Sequence, residues 1–100
     1  MTTPLTLTPS RCSDGATLLT VVGEIDMSNT DVLAMAIEAT DGPLVIDLTA
    51  VEYLDSAGLS VLFTHIDRIE LIATPLLAPV LNISGLADLT TIHGLDTPGT

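Results

Sequence analysis

Basic residues are the scarcest class in this chain. Of its 100 residues only Arg11 and Arg68 are basic, against 13 Asp and Glu, and the formal net charge is −11. Binding to nucleic-acid phosphates needs clustered Lys and Arg, so this composition argues against a nucleic-acid partner. The same charge disfavours an anionic membrane surface. A basic protein surface would attract the chain, although acidity can also serve only to keep a hydrophobic domain in solution.

Cysteine and aromatic residues are almost as rare. Because Cys12 is the single cysteine, neither an intramolecular disulfide nor a cysteine-based zinc site can form. Tyr53 and Phe63 are the only aromatic residues, yet 47% of the residues are hydrophobic, so the core must be aliphatic. His65 and His93 do not have the spacing of metal ligands, and we expect neither a metal nor a cofactor.

Long apolar runs and an export signal are also missing. The first ten residues contain neither a basic region nor an apolar run, so they do not form a signal peptide. The most apolar stretch, residues 69–81, contains Glu70, Pro75 and Pro79 and is too short and interrupted to cross a bilayer. We therefore expect a cytoplasmic protein without membrane insertion.

The first half of the chain has the pattern of a hairpin followed by a helix. Apolar and polar residues alternate over residues 5–8, residues 13–15 have the composition of a turn, and residues 17–22 are β-branched and apolar. This predicts two antiparallel strands. Ser28 is a suitable N-cap for a helix that continues to Thr40 with apolar residues at helical spacing.

The second half alternates strands and helices. Residues 44–48 predict a fully buried strand parallel to the second one, and residues 49–54 a connection. A helix capped by Asp55 or Ser56 follows, then a strand at residues 68–73 and a short helix at residues 80–83, with a further helical turn at 86–89.

This order of elements predicts one α/β domain over residues 1–93, with a mixed sheet of about four strands and helices packed on one face. Residues 94–100 are expected to form a loose tail. The predicted core residues are Leu19, Val21, Leu33, Ile37, Val45, Ile46, Leu48, Leu59 and Leu62.

Three motifs resemble those of one known family. The segment LVIDLTAVEYLDSAGL, residues 44–59, combines an apolar strand, Asp-Leu, and Asp-Ser-x-Gly-Leu at a helix start. Residues 23–26, Gly-Glu-Ile-Asp, and residues 84–86, Ser-Gly-Leu, follow the same family pattern in the right order. This pattern is similar to that of the STAS family, which comprises anti-sigma-factor antagonists and the cytoplasmic tails of sulfate-type anion transporters. The resemblance implies a STAS-like α/β domain.

The resemblance also implies a function. The family's antagonists are phosphorylated on the serine of Asp-Ser-x-Gly-Leu by a partner that is both anti-sigma factor and serine kinase. Unphosphorylated, they bind this partner and so release a sigma factor for transcription, and a phosphatase resets the switch. Carried onto this chain, Ser56 is the phosphorylation site, with Ser60 less favoured, and Asp26, Asp55, Ser56 and Gly58 form the partner-binding surface. Gly58 is expected to let the partner approach the backbone closely.

The chain departs from the family pattern after Ser56. Only about a dozen residues, without Gly or Pro, separate this serine from the apolar run at Ile69, so the second helix should be short or should meet the strand abruptly at Asp67-Arg68. A second possibility keeps the fold and makes the chain a STAS accessory or regulatory subunit of a transporter or stress-sensing complex.

An enzyme is the least favoured reading of Ser56. A triad of Ser56, His65 and Asp67 would need the three side chains within hydrogen-bond reach, but His65 lies more than two turns along the helix that starts at Ser56. The motif Asp-Ser-Ala-Gly is also not a Gly-x-Ser-x-Gly nucleophile elbow. We therefore expect no catalytic residues.

Overall fold

Five strands and four α-helices make up the described part of the chain, residues 5–12 and 15–94 of a computed structural model. Their bounds are β1 Thr6–Arg11, β2 Thr17–Ile25, α1 Thr30–Glu38, β3 Leu44–Leu54, α2 Ser56–Thr64, β4 Ile69–Ile72, α3 Ala78–Ile83, α4 Leu86–Leu89 and β5 Ile92–His93. Two positions of the predicted 13–15 turn, and residues 95–100 of the predicted tail, lie outside the described residues.

The strands form one mixed sheet in sequence order, β1-β2-β3-β4-β5. The predicted hairpin is confirmed, since β1 is antiparallel to β2, while the remaining neighbours are parallel. Each parallel crossover steps in the same direction along the sheet, and such crossovers are right-handed, so the helices cover one face. The predicted α/β domain is therefore confirmed. The extra strand β5 has only two residues, Ile92 and His93, too few to show a periodic pattern.

The central strand β3 differs from its prediction in length and in burial. It continues through the predicted connection at residues 49–54, because two β-bulges lengthen it against β2. From Thr20 to Val22, β2 advances two residues while β3 advances three. A second extra residue of β3 lies opposite the step from Gly23 to Glu24, and the φ of Gly23 is 113°. Each bulge adds a residue pointing outward and breaks the two-residue period. The strand is also buried on one face only, rather than fully.

Aliphatic side chains from the sheet and helices form the core, as predicted. Seven of the nine predicted core residues are buried, and Leu59 packs against the core while half-exposed. Val45 is also half-exposed, because it points to the sheet face opposite its buried neighbours Leu44 and Ile46. The largest fully buried side chains are Leu19, Val21, Ile25, Leu33, Ile37, Leu44, Ile46, Leu48, Leu62, Leu71, Leu81 and Leu86.

The predicted helix starts are right for α2 and wrong for α1. Ser28 does not cap α1, because the helix begins at Thr30 and the Ser28 side chain bonds Asp26 instead. Of the two residues predicted as possible caps of α2, Asp55 is the one whose side chain accepts a helix N–H. The short second helix is also confirmed, since α2 ends at Thr64 and a single 3₁₀ turn, Ile66–Arg68, leads directly into β4.

Candidate functional site

The carboxyl edges of β2 and β3 bring two of the predicted site residues together. Ile25 and Leu54 are paired at the ends of these parallel strands, so Asp26 and Asp55 follow at neighbouring positions. The Asp55 N–H donates to the Ile25 carbonyl oxygen over 3.2 Å, which extends the pairing into the first residue after β3. The strands thus place both acids at the amino end of α2.

Asp55 and Ser56 differ in their hydrogen bonds at the start of α2. The Asp55 carboxylate accepts the Gly58 N–H over 3.1 Å, and its carbonyl accepts the Leu59 N–H over 3.0 Å. Ser56 is exposed at the first helical position, and its hydroxyl has no hydrogen-bond partner within the described part of the chain. Asp55 is therefore the cap, which leaves the Ser56 hydroxyl available to solvent or to a partner.

Ser60 lies one turn further along α2 and is also exposed. Its hydroxyl donates to the Ser56 carbonyl oxygen over 3.1 Å, whereas the Ser56 hydroxyl makes no such bond. This difference agrees with the preference for Ser56 over Ser60 as the reactive hydroxyl.

Gly58 faces the interior of the fold rather than the solvent. The residue is buried, and a Cβ atom added there would lie 2.5 Å from Leu54 Cδ1 and 2.6 Å from Ile25 Cγ2. Its N–H is already bonded to Asp55. The missing side chain therefore makes room for the packing of α2 against the ends of β2 and β3.

Asp26 begins a tight turn that the sequence did not reveal. Its carboxylate accepts the N–H and the hydroxyl of Ser28, over 2.9 and 2.5 Å, and these bonds hold the pKa of Asp26 below its ordinary value. Asn29 binds the backbone on both sides of Ile25, at Glu24 and Asp26. Ser28 and Asn29, which follow the Gly-Glu-Ile-Asp motif after Met27, are the available signal, but Ser28 also has the pattern of a helix cap.

Charges are distributed unevenly between the two edges of the sheet. Glu24, Asp26, Glu52 and Asp55 lie at or within two residues of the carboxyl ends of β2 and β3. The two arginines lie at the opposite edge: Arg11 pairs with Thr17 at the start of β2, and Arg68 precedes the strand start that pairs with Leu44. The edge that carries Ser56 is therefore acidic.

Apolar side chains are exposed among these acids. Met27, in the turn after Asp26, is 80% exposed, and Tyr53, two residues before Asp55, is 50% exposed. Met and aromatic residues are enriched at protein-binding surfaces, whose rims are polar.

His65 is the C-cap of α2, at the opposite end of the helix from Ser56. Among the described residues, no group of three or more His, Cys, Asp or Glu side chains could hold a metal ion. The described helices are also all too short to cross a membrane.

Known proteins with this fold identify the family. A model of the STAS domain matches residues 9–94. The crystal structure of an anti-sigma factor antagonist from Mycobacterium paratuberculosis is similar, with a TM-score of 0.81 and 30% identity, over 90% of this chain and 86% of that chain. Comparison with curated protein sequences gives no match.

Two more distant structures share the fold. The anti-sigma factor antagonist SpoIIAA in its unphosphorylated form has a TM-score of 0.71 at 13% identity, over 93% of this chain and 90% of that chain. An antisigma-factor antagonist STAS domain from Rhodobacter sphaeroides has a TM-score of 0.52 at 16% identity, over 69% of this chain and 84% of that chain. Because the family model matches most of this chain and the fold is shared, the chain belongs to the STAS domain family.

Proposed function

We propose that this protein is an anti-sigma-factor antagonist, a cytoplasmic binding protein that regulates transcription by sequestering an anti-sigma factor with serine kinase activity. The exposed Ser56 hydroxyl, which Asp55 leaves free at the start of α2, is the observation that carries the proposal. The 30% identity to an anti-sigma factor antagonist over 90% of the chain supports it. Ser56 is the phosphorylation site, and a phosphatase resets it.

Phosphorylation acts on the partner-binding surface by adding charge. A phosphate brings about −1.5 to −2 charges at neutral pH, and here it would stand beside the carboxylates of Asp26 and Asp55. The Gly58 N–H is already bonded to Asp55, so fewer free helix N–H groups remain to neutralise that phosphate. The anionic group would repel acidic groups of a docked partner and would lose hydration against its apolar parts. The fold tolerates the phosphate at a helix start.

The acidic edge favours a partner with a basic docking surface. Asp26, Asp55 and Ser56 form the centre of the partner-binding surface, while Gly58 contributes only by bringing α2 close to Ile25 and Leu54. The exposed side chains of Met27 and Tyr53 supply apolar contact area next to the charges. Complementary charge speeds association, and buried apolar contacts slow dissociation.

The test is affinity capture with wild-type protein and with Ser56→Glu as baits. We expect the wild type to retain a protein with an ATPase-type kinase domain and Ser56→Glu to retain it weakly. With ATP, the purified partner should add one phosphate, which mass spectrometry places on Ser56. Phosphorylation should weaken binding about tenfold or more, equivalent to 1.4 kcal/mol.

Ser60→Ala is the matched control, because it removes an exposed hydroxyl from the same helix. It should still be phosphorylated, while Ser56→Ala should not. A phosphate on another residue, or equal binding by the phosphorylated form, would contradict the switch. Capture of transporter subunits irrespective of the residue at position 56 would favour the accessory-subunit function instead.

A further inference from the structure

Asn29 uses both ends of its side chain to hold the end of β2. Its Oδ1 accepts the Asp26 N–H over 3.0 Å, and its Nδ2 donates to the Glu24 carbonyl oxygen over 2.9 Å. Its own backbone N–H donates to the Asp26 carbonyl oxygen over 3.0 Å. The side chain therefore closes a loop around Ile25, the residue between these two acids.

Ile25 connects this loop to the start of α2. Its carbonyl oxygen accepts the Asp55 N–H, and its fully buried side chain meets the position of Gly58. Fixing the backbone on either side of Ile25 thus fixes Asp26 relative to the backbone that carries Ser56.

The Asn29 side chain does not cap α1. Asn29 occupies the N-cap position of α1, but its side chain makes no capping hydrogen bond to the helix. An asparagine at this position ordinarily accepts an N–H from the first turn. Here its acceptor points back to Asp26, so its contacts serve the turn rather than α1.

We propose that Asn29 is a positioning residue for partner binding, which holds Asp26 at a fixed place beside Ser56 so that one partner meets both. Ser28 completes the arrangement, because its N–H and hydroxyl fix the Asp26 carboxylate on the backbone that Asn29 holds. The inference rests on the proposed function, since Asp26 and Ser56 are its docking and phosphorylation residues.

The test compares Asn29→Ala with wild type in two measurements. In the free protein, amide hydrogen exchange followed by NMR should show the Asp26 N–H exchanging at least about fivefold faster, because it loses its acceptor. With the kinase that phosphorylates Ser56, the KM for the antagonist should rise about fivefold while kcat stays within about twofold, since docking weakens and the serine is unchanged. Asn29→Asp keeps an acceptor for that N–H, so its Asp26 exchange should be slower than in Asn29→Ala.

Asn82→Ala is the control, because it makes the same change at an exposed position on α3. It should leave Asp26 exchange and KM at wild-type values. Unchanged Asp26 exchange in Asn29→Ala, or faster exchange with an unchanged KM, would overturn the positioning role. Wild-type protein that is never phosphorylated on Ser56 would instead overturn the proposed function, and with it the docking role of Asn29.

Discussion

At the scale of single residues, position 58 decides how closely α2 approaches the sheet. Alanine is ordinarily better than glycine inside a helix, by about 1 kcal/mol. Here the added methyl group would stand 2.5 Å from Leu54 Cδ1 and 2.6 Å from Ile25 Cγ2, both on side chains of the buried core. Overpacking of this kind costs roughly 1–3 kcal/mol, which exceeds the gain in helix propensity.

Gly58→Ala should therefore destabilise the fold, by up to about 2 kcal/mol, although it favours the helix. Urea denaturation followed by circular dichroism measures the change. Ser60→Ala is the control, because it introduces the same residue at an exposed position of the same helix and should change stability by less than about 0.5 kcal/mol. A stabilised Gly58→Ala protein would show that α2 can move away from β2 and β3 at no cost.

Asp26 also shows how one residue's role depends on its neighbours. The two Ser28 donors lower its pKa, so the carboxylate remains charged to lower pH than an ordinary aspartate. A lowered folded-state pKa contributes stability above the unfolded-state pKa, and that contribution is lost only as the pH falls through the lowered value. The Asp26 carboxylate therefore stays charged over the physiological range.

At the scale of elements, local pattern predicted the hairpin, the parallel crossover from β2 to β3 and a cap of α2 at Asp55 or Ser56. These features depend on two-residue alternation, helical spacing and one capping residue, which a sequence displays directly. The second half of β3 could not be predicted in this way, because its buried residues Leu48, Val51 and Leu54 are three apart. The bulges that cause this spacing are set by pairing with β2, a contact across the fold.

The candidate site shows the same division between local and distant information. Asp26, Asp55 and Ser56 were predicted from motifs and lie at the same edge of the sheet. The burial of Gly58 and the contacts of Asn29 were not predicted, because each depends on which backbone segment packs against that residue. The motifs identified the residues, but whether each of them is exposed or buried depends on the fold.

Arg68 holds the end of α1 in place. Its guanidinium donates to the carbonyl oxygens of Ile37, over 3.1 Å, and of Thr40 and Gly42. The last carbonyls of a helix lack partners within the helix, so a cation with several donors satisfies them and also favours the negative end of the helix dipole. One side chain from the segment before β4 thereby fixes the turn between α1 and β3.

Arg68→Met keeps most of the aliphatic side chain and removes the donors, so we expect a loss of about 2 kcal/mol in the free energy of unfolding. Arg11→Met is the matched control, because it makes the same change in net charge at an exposed position. It should cost less than about 0.5 kcal/mol. Equal losses in the two variants, measured by urea denaturation, would show that self-repulsion of the acidic chain, not the carbonyl contacts, explains the effect.

At the scale of the whole molecule, the charges that sum to −11 are distributed unequally between the two edges of the sheet. β3, with 11 residues, separates the two edges of the sheet by about 30 Å. Charges further apart than about 10 Å are largely screened at 0.1 M salt. A partner at the Ser56 edge therefore meets the local carboxylates, while both arginines lie at the far edge and hardly offset them.

This arrangement predicts that association with the basic partner is fast at low salt and slows as the ionic strength rises. Steering acts on the encounter, so the on-rate should fall while the off-rate changes little. Surface plasmon resonance over a range of salt concentrations measures both rates. Glu52→Gln removes one charge near the Ser56 edge, and Asp41→Asn removes one from the turn before β3, near the far edge. At about 0.1 M salt, where charges are largely screened beyond about 10 Å, Glu52→Gln should slow association about twofold and Asp41→Asn much less. Equal effects of the two variants would mean that net charge alone attracts the partner, and an on-rate independent of salt would rule out electrostatic steering.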